Sequence, residues 1–126
     1  MDKISKNKPE NNLTILQYKV TQEGATEPPF SHKGFEKDTK VFVCVCCGSK
    51  LFKIENKFES GSGWPSFSSP YSSEVITEHS DDSYGMIRTE VKCRKCNAHL
   101  GHVFEDGPEP TGLRYCINGV AIDGKK

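Results

Sequence analysis

The sequence contains no long apolar run of the kind that forms a transmembrane helix, and its polar start has no hydrophobic stretch typical of a secretion signal. It also has no excess of charge, because 17 lysines and arginines balance 17 aspartates and glutamates. The field of the whole protein therefore gives no reason to expect attraction to nucleic acid or to a membrane. We expect a cytoplasmic monomer with a flexible arm over residues 1–12 and a single domain over residues 13–126.

Hydrophobic residues make up only 34% of the 126 residues, so the core is small and a cross-link or a bound metal would help to hold it. The six cysteines are the candidates for that role. Because a cytoplasm keeps thiols reduced, we expect metal ligands and reactive thiols rather than disulfides.

The distribution of residue types predicts a mainly β fold. A short helix is expected between Leu13 and a helix stop at Gly24. Beyond Lys40 no stretch keeps a helical period, whereas β-branched and aromatic residues recur between turn-rich clusters. The pattern predicts antiparallel strands at residues 41–44, 50–52, 74–78, 84–91, 99–104, 113–117 and 119–122.

Two Cys-x-x-Cys pairs give the strongest chemical signal. Each pair can bend through a tight turn and present two thiolates to one ion. Together they supply the four sulfurs of a tetrahedral zinc site, Cys44, Cys47, Cys93 and Cys96, which leaves Cys46 outside the set. The alternatives are disulfides, an iron–sulfur centre, or reduced cysteines that fill the core.

Two histidines, His99 and His102, follow the second cysteine pair. With Cys93 and Cys96 they would make a Cys2His2 set, but finger-type sites place about a dozen residues between the two pairs. Only two residues intervene here, so the spacing argues against such a site. The histidines are either ordinary hydrogen-bonded side chains or members of a functional site that the metal turn positions.

Cys116 is left over once four cysteines are assigned to the metal. The thiolate is the reactive form of cysteine, and Arg114 or a protonated histidine nearby would favour it, whereas burial alone would leave the thiol inert. From spacing alone, a nucleophile and a buried structural cysteine both remain open.

Five long motifs carry a resemblance to a known family. They read GATEPPF, KFESGSGWPSF, GMIRTEV, HLGHVFEDGP and PTGLRYCIN, at residues 24–30, 57–67, 85–91, 99–108 and 110–118. The chain resembles the B-type methionine sulfoxide reductases, which act on the R epimer of methionine sulfoxide. The resemblance implies two antiparallel sheets, a structural zinc on the four paired cysteines, and Cys116 as the catalytic nucleophile.

The resemblance also implies roles for the other residues. The Cys116 thiolate would attack the sulfoxide sulfur and become a sulfenic acid, while His102, with His99 beside it, would protonate the oxygen. Asn118 would hydrogen-bond the substrate or the histidines, and Trp64 would pack on the substrate methyl group. The implied partners are oxidised proteins or peptides, together with thioredoxin or another thiol reductant.

Two positions depart from the family pattern. Ser62 stands where many members have a resolving cysteine, so either an external thiol or Cys46 must deal with the sulfenic acid. Gly119 stands where serine is common. Two alternatives from other classes remain. One is a non-catalytic zinc-ribbon module that binds a protein or a nucleic acid, although the neutral charge argues against nucleic acid. The other is a Cys/His hydrolase, for which no motif supplies an oxyanion site.

Overall fold

The described part of the protein, residues 13–126 of a computed structural model, contains one α-helix, three short 3₁₀ helices and nine strands. The predicted arm over residues 1–12 lies outside these described residues. Helix α1 spans Ile15–Glu23. The strands are β1 (Val41–Cys44), β2 (Lys50–Lys53), β3 (Lys57–Phe58), β4 (Ser66–Phe67), β5 (Ile76–Asp81), β6 (Arg88–Cys93), β7 (His99–Phe104), β8 (Arg114–Ile117) and β9 (Ile122–Lys125).

Helix α1 begins and ends where the sequence supplies caps, so the predicted short helix is confirmed. Thr14 and Gln17 exchange hydrogen bonds across the first turn, and Gly24 ends the helix with a φ of 74°. Val20 is fully buried and anchors the helix in the core. None of the helices in the described part of the chain has the length and apolar character needed to cross a membrane.

The strands form two antiparallel sheets, which confirms the predicted fold class. One sheet has three strands in the order β2-β1-β9, and the other has six in the order β3-β4-β8-β7-β6-β5. Phe52 of the first sheet stacks on Phe67 of the second with ring centroids 4.4 Å apart, and Phe42 meets Phe67 edge-on at 5.2 Å. These fully buried rings join the sheets through an apolar core.

The strand predicted at residues 119–122 is wrong. Gly119–Ala121 forms a 3₁₀ turn, and β9 runs instead over Ile122–Lys125. The backbone N–H groups of Gly119 and Val120 donate to the buried carboxylate of Glu27, at 2.9 and 3.1 Å. Because these donors are already used, the segment does not form a ladder with a neighbouring strand.

Other boundaries differ for local reasons. The strand predicted at 84–91 starts too early, since Ser83–Gly85 is a 3₁₀ turn, and the strand predicted at 74–78 is displaced towards β5 at Ile76–Asp81. The two-residue strands β3 and β4 were not predicted, because two residues are too few to show an alternating pattern.

Candidate active site and metal centre

The four paired cysteines meet where a turn of one sheet touches a turn of the other. Cys44 and Cys47 lie at the turn from β1 to β2, and Cys93 and Cys96 lie at the turn from β6 to β7. Their Sγ atoms all lie within 4.8 Å of one another. The Sγ atoms of Cys44 and Cys96 are 3.6 Å apart, as are those of Cys47 and Cys93.

Each cysteine pair is bent by one residue with a positive φ. Gly48 has a φ of 79° and donates its backbone N–H to the Cys44 carbonyl at 2.9 Å. Asn97 has a φ of 66° and donates its N–H to the Cys93 carbonyl at 2.7 Å. Glycine and asparagine are the residues that tolerate this left-handed conformation best, so the two turns present their thiols in the same way.

The cluster is consistent with zinc. Four sulfurs about 2.3 Å from a tetrahedral zinc ion lie roughly 3.8 Å from one another, close to the 3.6 Å seen for two of the Sγ pairs. Hydrogen bonding from Cys44 lowers the pKa of the Cys93 thiol. Cys46 lies outside the cluster and accepts a hydrogen bond on Sγ from Gln22 Nε2 at 3.5 Å.

A second group of predicted residues lines a cavity of about 350 Å³. Cys116 of β8 pairs with His102 of β7 across the sheet, so the two residues lie directly opposite each other. Trp64, Arg114 and Asn118 line the same cavity. The structure therefore brings together five of the six residues that the sequence assigned to catalysis and substrate binding.

The remaining residue, His99, contacts His102 because of a β-bulge in β7. In a regular strand, residues three apart point to opposite faces of the sheet. Here β7 carries one extra residue opposite β6, at Leu100, which turns the two histidines towards each other. Their ring centroids are 5.6 Å apart. His99 lines a neighbouring depression rather than the cavity at Cys116.

Each histidine is bonded to a carboxylate. Glu90 Oε2 lies 2.7 Å from His99 Nδ1, and Asp81 Oδ2 lies 2.7 Å from His102 Nε2. Burial lowers the pKa of His99, although the Glu90 carboxylate opposes the shift, so the ring is neutral at neutral pH. A neutral ring that faces a carboxylate through Nδ1 carries its proton there. Its Nε2 is then a buried acceptor without a hydrogen-bond partner among the described residues.

The Asp81 carboxylate also contacts a second side chain, that of Arg88. The hydrogen bond from His102 lowers the pKa of Asp81, so the carboxylate stays ionised at neutral pH. An Arg88 guanidinium nitrogen lies 3.4 Å from the same Oδ2 atom, and Arg88 lines the cavity. Asp81 therefore links His102 and Arg88.

The Cys116 thiol is half-buried, with its Sγ 4.0 Å from Ser62 Oγ. Burial raises the pKa of Cys116, while Ser62 and Arg114 act in the opposite direction. Because burial prevails, the thiol is mostly protonated at neutral pH. Arg114 is itself held in place, since its Nε donates to Asp106 Oδ1 at 2.8 Å and its guanidinium stacks on the Phe104 ring at 4.6 Å.

Hydrogen bonds to the backbone fix Trp64 and Asn118. Trp64 Nε1 donates to the Glu27 carbonyl at 2.9 Å. Asn118 Oδ1 accepts the Glu27 N–H at 2.9 Å, and its Nδ2 donates to the Leu100 carbonyl at 3.0 Å. The amide of Asn118 is therefore bonded to two backbone segments, and its bond to a substrate or a histidine stays a prediction.

The SelR domain family model matches residues 13–126, the whole of the described chain. The chain belongs to the SelR domain family. Its relatives include the peptide methionine sulfoxide reductase MsrB of Hahella chejuensis, 53% identical over 125 residues that cover 97% of this chain and 90% of the relative. The MsrB of Pseudomonas fluorescens is 53% identical, covering 98% and 96%. The MsrB of Acinetobacter baylyi is 47% identical, covering 99% and 92%.

These matches confirm the predicted resemblance, and the structure of this SelR domain explains one departure from the family pattern. A Cβ atom on Gly119 would collide with the ring of His32. That ring packs on Phe35, with centroids 4.7 Å apart. In this SelR domain the imidazole of His32 thus occupies the space that a serine side chain would need.

Sequence reasoning missed the acidic residues of the SelR domain site. Asp81, Glu90 and Glu27 each bond a predicted residue, yet none was singled out. Glu27 and Glu90 do lie within the motifs GATEPPF and GMIRTEV, which marked them without giving them a role. Asp81 lies in none of the five motifs, and its partner His102 is 21 residues away.

Proposed function

We propose that this SelR domain enzyme reduces the R epimer of methionine sulfoxide, carried in proteins or peptides, to methionine with Cys116 as the nucleophile. The observation that carries the proposal is the cavity in which Cys116 and His102 face each other across β7 and β8, with Trp64 as a wall. The names of the relatives, peptide methionine sulfoxide reductase MsrB, support the substrate class.

The Cys116 sulfur attacks the sulfoxide sulfur and forms an S–S bond to it. The S–O bond of the substrate then breaks, and the oxygen is transferred to Cys116 as the S–S bond breaks too, which yields methionine and a cysteine sulfenic acid. Cys116 loses the two electrons that the substrate sulfur gains. Because burial raises the pKa of the Cys116 thiol, the thiol loses its proton as it attacks, and that proton replaces the one that His102 gives to the sulfoxide oxygen.

His102 supplies the proton that the sulfoxide oxygen requires. Its Nε2 is bonded to the ionised Asp81 carboxylate at 2.7 Å, which leaves Nδ1 for the substrate. Asp81 thus orients the His102 ring. His99 is neutral and hydrogen-bonded to Glu90 through Nδ1. Its ring lies beside the His102 ring and supports the orientation of His102.

Trp64 binds the methyl group of the substrate and thereby selects one epimer of the sulfoxide. Its indole N–H is bonded to the Glu27 carbonyl, so the ring presents a fixed apolar face to the cavity. With the methyl group on this face, only one epimer directs its oxygen towards His102 while its sulfur faces Cys116.

An external thiol, such as that of thioredoxin, returns the enzyme to its reduced state. Two thiol groups convert the sulfenic acid on Cys116 to a thiol, with release of a disulfide and water. Ser62 Oγ lies 4.0 Å from Cys116 Sγ, but serine has no thiol. Cys46 is buried, and its Sγ accepts a hydrogen bond from Gln22 of α1. The cytoplasmic location and the monomeric state stay predictions.

An assay on racemic methionine sulfoxide with dithiothreitol tests this function. Consumption is expected to stop near half of the mixture and leave the S epimer, and Cys116→Ser should abolish it. Consumption of both epimers would contradict the stereochemical assignment. Full activity of Cys116→Ser would contradict the choice of nucleophile.

A further inference from the structure

Glu27 is a carboxylate residue with no exposed surface, in the irregular segment between α1 and β1. Its Oε2 accepts the N–H of Gly119 at 2.9 Å, and its Oε1 accepts the N–H of Val120 at 3.1 Å. Burial of a carboxylate is costly unless its oxygens are hydrogen-bonded. A glutamine offers only one oxygen, so it cannot accept both bonds in this way. The carboxylate is therefore matched to two backbone donors.

The backbone of the same residue contacts two groups that line the Cys116 cavity. The Glu27 N–H donates to Asn118 Oδ1 at 2.9 Å, and the Glu27 carbonyl accepts from Trp64 Nε1 at 2.9 Å. Thr26, the preceding residue, also lines the cavity. The two residues that the carboxylate holds follow Asn118 directly in the chain. Glu27 thus joins three segments that are distant in sequence.

We infer that Glu27 is a positioning residue for the reaction proposed above, on which the inference rests. Its carboxylate does not line the cavity. It anchors the Glu27 backbone to the turn after Asn118, and that backbone in turn sets the Trp64 ring and the Asn118 amide. Small displacements of positioning groups reduce rates strongly, since a shift of about 1 Å can cost roughly a hundredfold.

Tryptophan fluorescence tests this inference independently of activity, because Trp64 is the only tryptophan in the chain. The variants are Glu27→Gln and Glu27→Asp, with Glu55→Gln as control, which alters an exposed carboxylate on the turn Ile54–Asn56. In Glu27→Gln the Trp64 emission maximum should shift and acrylamide quenching should increase. The kcat/KM for methionine-R-sulfoxide should fall roughly ten- to hundredfold, with unchanged zinc content. Glu27→Asp, which keeps two acceptor oxygens on a shorter chain, should fall between wild type and Glu27→Gln.

The results for the Glu27 variants distinguish a positioning role of Glu27 from a role in stability alone. A folded Glu27→Gln variant with wild-type kcat/KM overturns the inference, whether or not the Trp64 emission shifts. Activity lost only in proportion to unfolded protein, with unchanged emission of the folded fraction, also overturns it. If Glu27→Gln does not fold, Glu27→Asp decides by the same two readouts. Failure of the wild-type enzyme to reduce the R epimer would instead overturn the proposed function, while the emission shift would still test the contact.

Discussion

The reactivity of Cys116 depends on opposing effects on a single thiol. Burial raises its pKa, and the Ser62 hydrogen bond and the Arg114 charge oppose that shift. Arg114 contributes from a fixed place, since Asp106 and Phe104 hold its guanidinium. A protonated thiol is oxidised less readily than a thiolate, because the thiolate is the form that oxidants attack.

Arg114→Gln should raise the pKa of Cys116 further, because the variant removes a positive charge that favours the thiolate. Iodoacetamide labelling of Cys116, followed by peptide mass spectrometry across pH, measures the shift. At pH 7 labelling should slow about threefold or more, since each pKa unit changes the thiolate fraction about tenfold. Arg114→Lys retains the charge and is the control. Equal labelling profiles for wild type and Arg114→Gln would contradict this account.

We expect Ser62 to determine which oxidised form of Cys116 accumulates. With stoichiometric sulfoxide and no reductant, wild type should yield one methionine per chain, and dimedone should then label Cys116 as sulfenic acid. In Ser62→Cys the new Sγ would lie near the present Oγ, 4.0 Å from Cys116 Sγ. A small movement of the loop then brings the sulfurs to bonding distance, about 2.05 Å, so a disulfide should replace the dimedone adduct.

Ser72→Cys, on an exposed loop, is the matched control and should keep the dimedone adduct. A disulfide between Cys46 and Cys116 in the wild-type enzyme would contradict direct reduction. A Cys46→Ser variant with selectively slower turnover by thioredoxin would do the same. Either result would make Cys46 the resolving cysteine.

At the scale of the secondary-structure element, strand β7 positions both histidines of the site. Its bulge turns His99 towards His102, the adjacent strand β6 supplies Glu90, and β5, on the far side of β6, supplies Asp81. Each of these carboxylates fixes one ring by one bond and leaves the second nitrogen available for another role. Strand pairing therefore sets the direction of both rings.

Asp81→Asn should lower kcat by roughly tenfold or more, since general acid catalysis is typically worth about 10²–10⁴ in rate. The His102 bond lowers the Asp81 pKa in the folded state, so this carboxylate stabilises the fold above its unfolded pKa, about 3.9. That contribution is lost as the pH falls through the folded value. The melting temperature gap between wild type and variant should therefore be present at pH 7 and shrink below about pH 4.

Asp82→Asn, the exposed neighbour, controls for the loss of a negative charge near β5. It should keep wild-type kcat. A gap in melting temperature between wild type and Asp81→Asn that grows as the pH falls would contradict the depressed pKa of Asp81.

The histidine motif shows how far the sequence predicts the site. Residue type and the neighbouring metal turn made His102 a candidate functional residue, and the family resemblance implied its role as the acid. Its partner Asp81 could not be predicted, because the residue that faces a histidine depends on strand register, and a slip of one residue moves every side chain to the opposite face. The bulge at Leu100 is such a shift.

The same limit applies to the fold. Strands β1 and β7 were predicted to the residue, because their alternating or continuous apolar pattern is a local property. The turn Gly119–Ala121 was read as a strand, because its backbone donors are taken by Glu27, about 90 residues earlier. Contacts between residues so far apart in the sequence cannot be predicted from the local residue pattern.

At the scale of the whole molecule, the cysteine cluster brings together one turn from each of the two sheets. Cys44 and Cys47 belong to the turn of the three-stranded sheet, and Cys93 and Cys96 to a turn of the six-stranded sheet. The second of these turns leads directly into β7, which carries both histidines. A metal in this cluster would therefore hold the start of β7 as well as the two sheets.

The purified enzyme should accordingly contain about one zinc per chain, and Cys44→Ser or Cys93→Ser should impair folding more than turnover per folded molecule. Metal-binding energy is folding energy in such sites, and each kcal/mol lost lowers the melting temperature of a domain this size by several degrees, so a fall of at least about 10 °C is expected. Cys46→Ser is the matched control, because this buried thiol lies outside the four-cysteine cluster; it should keep the zinc and lose little stability. A metal-free protein with an unchanged melting temperature would show that the four thiols do not stabilise the fold through zinc.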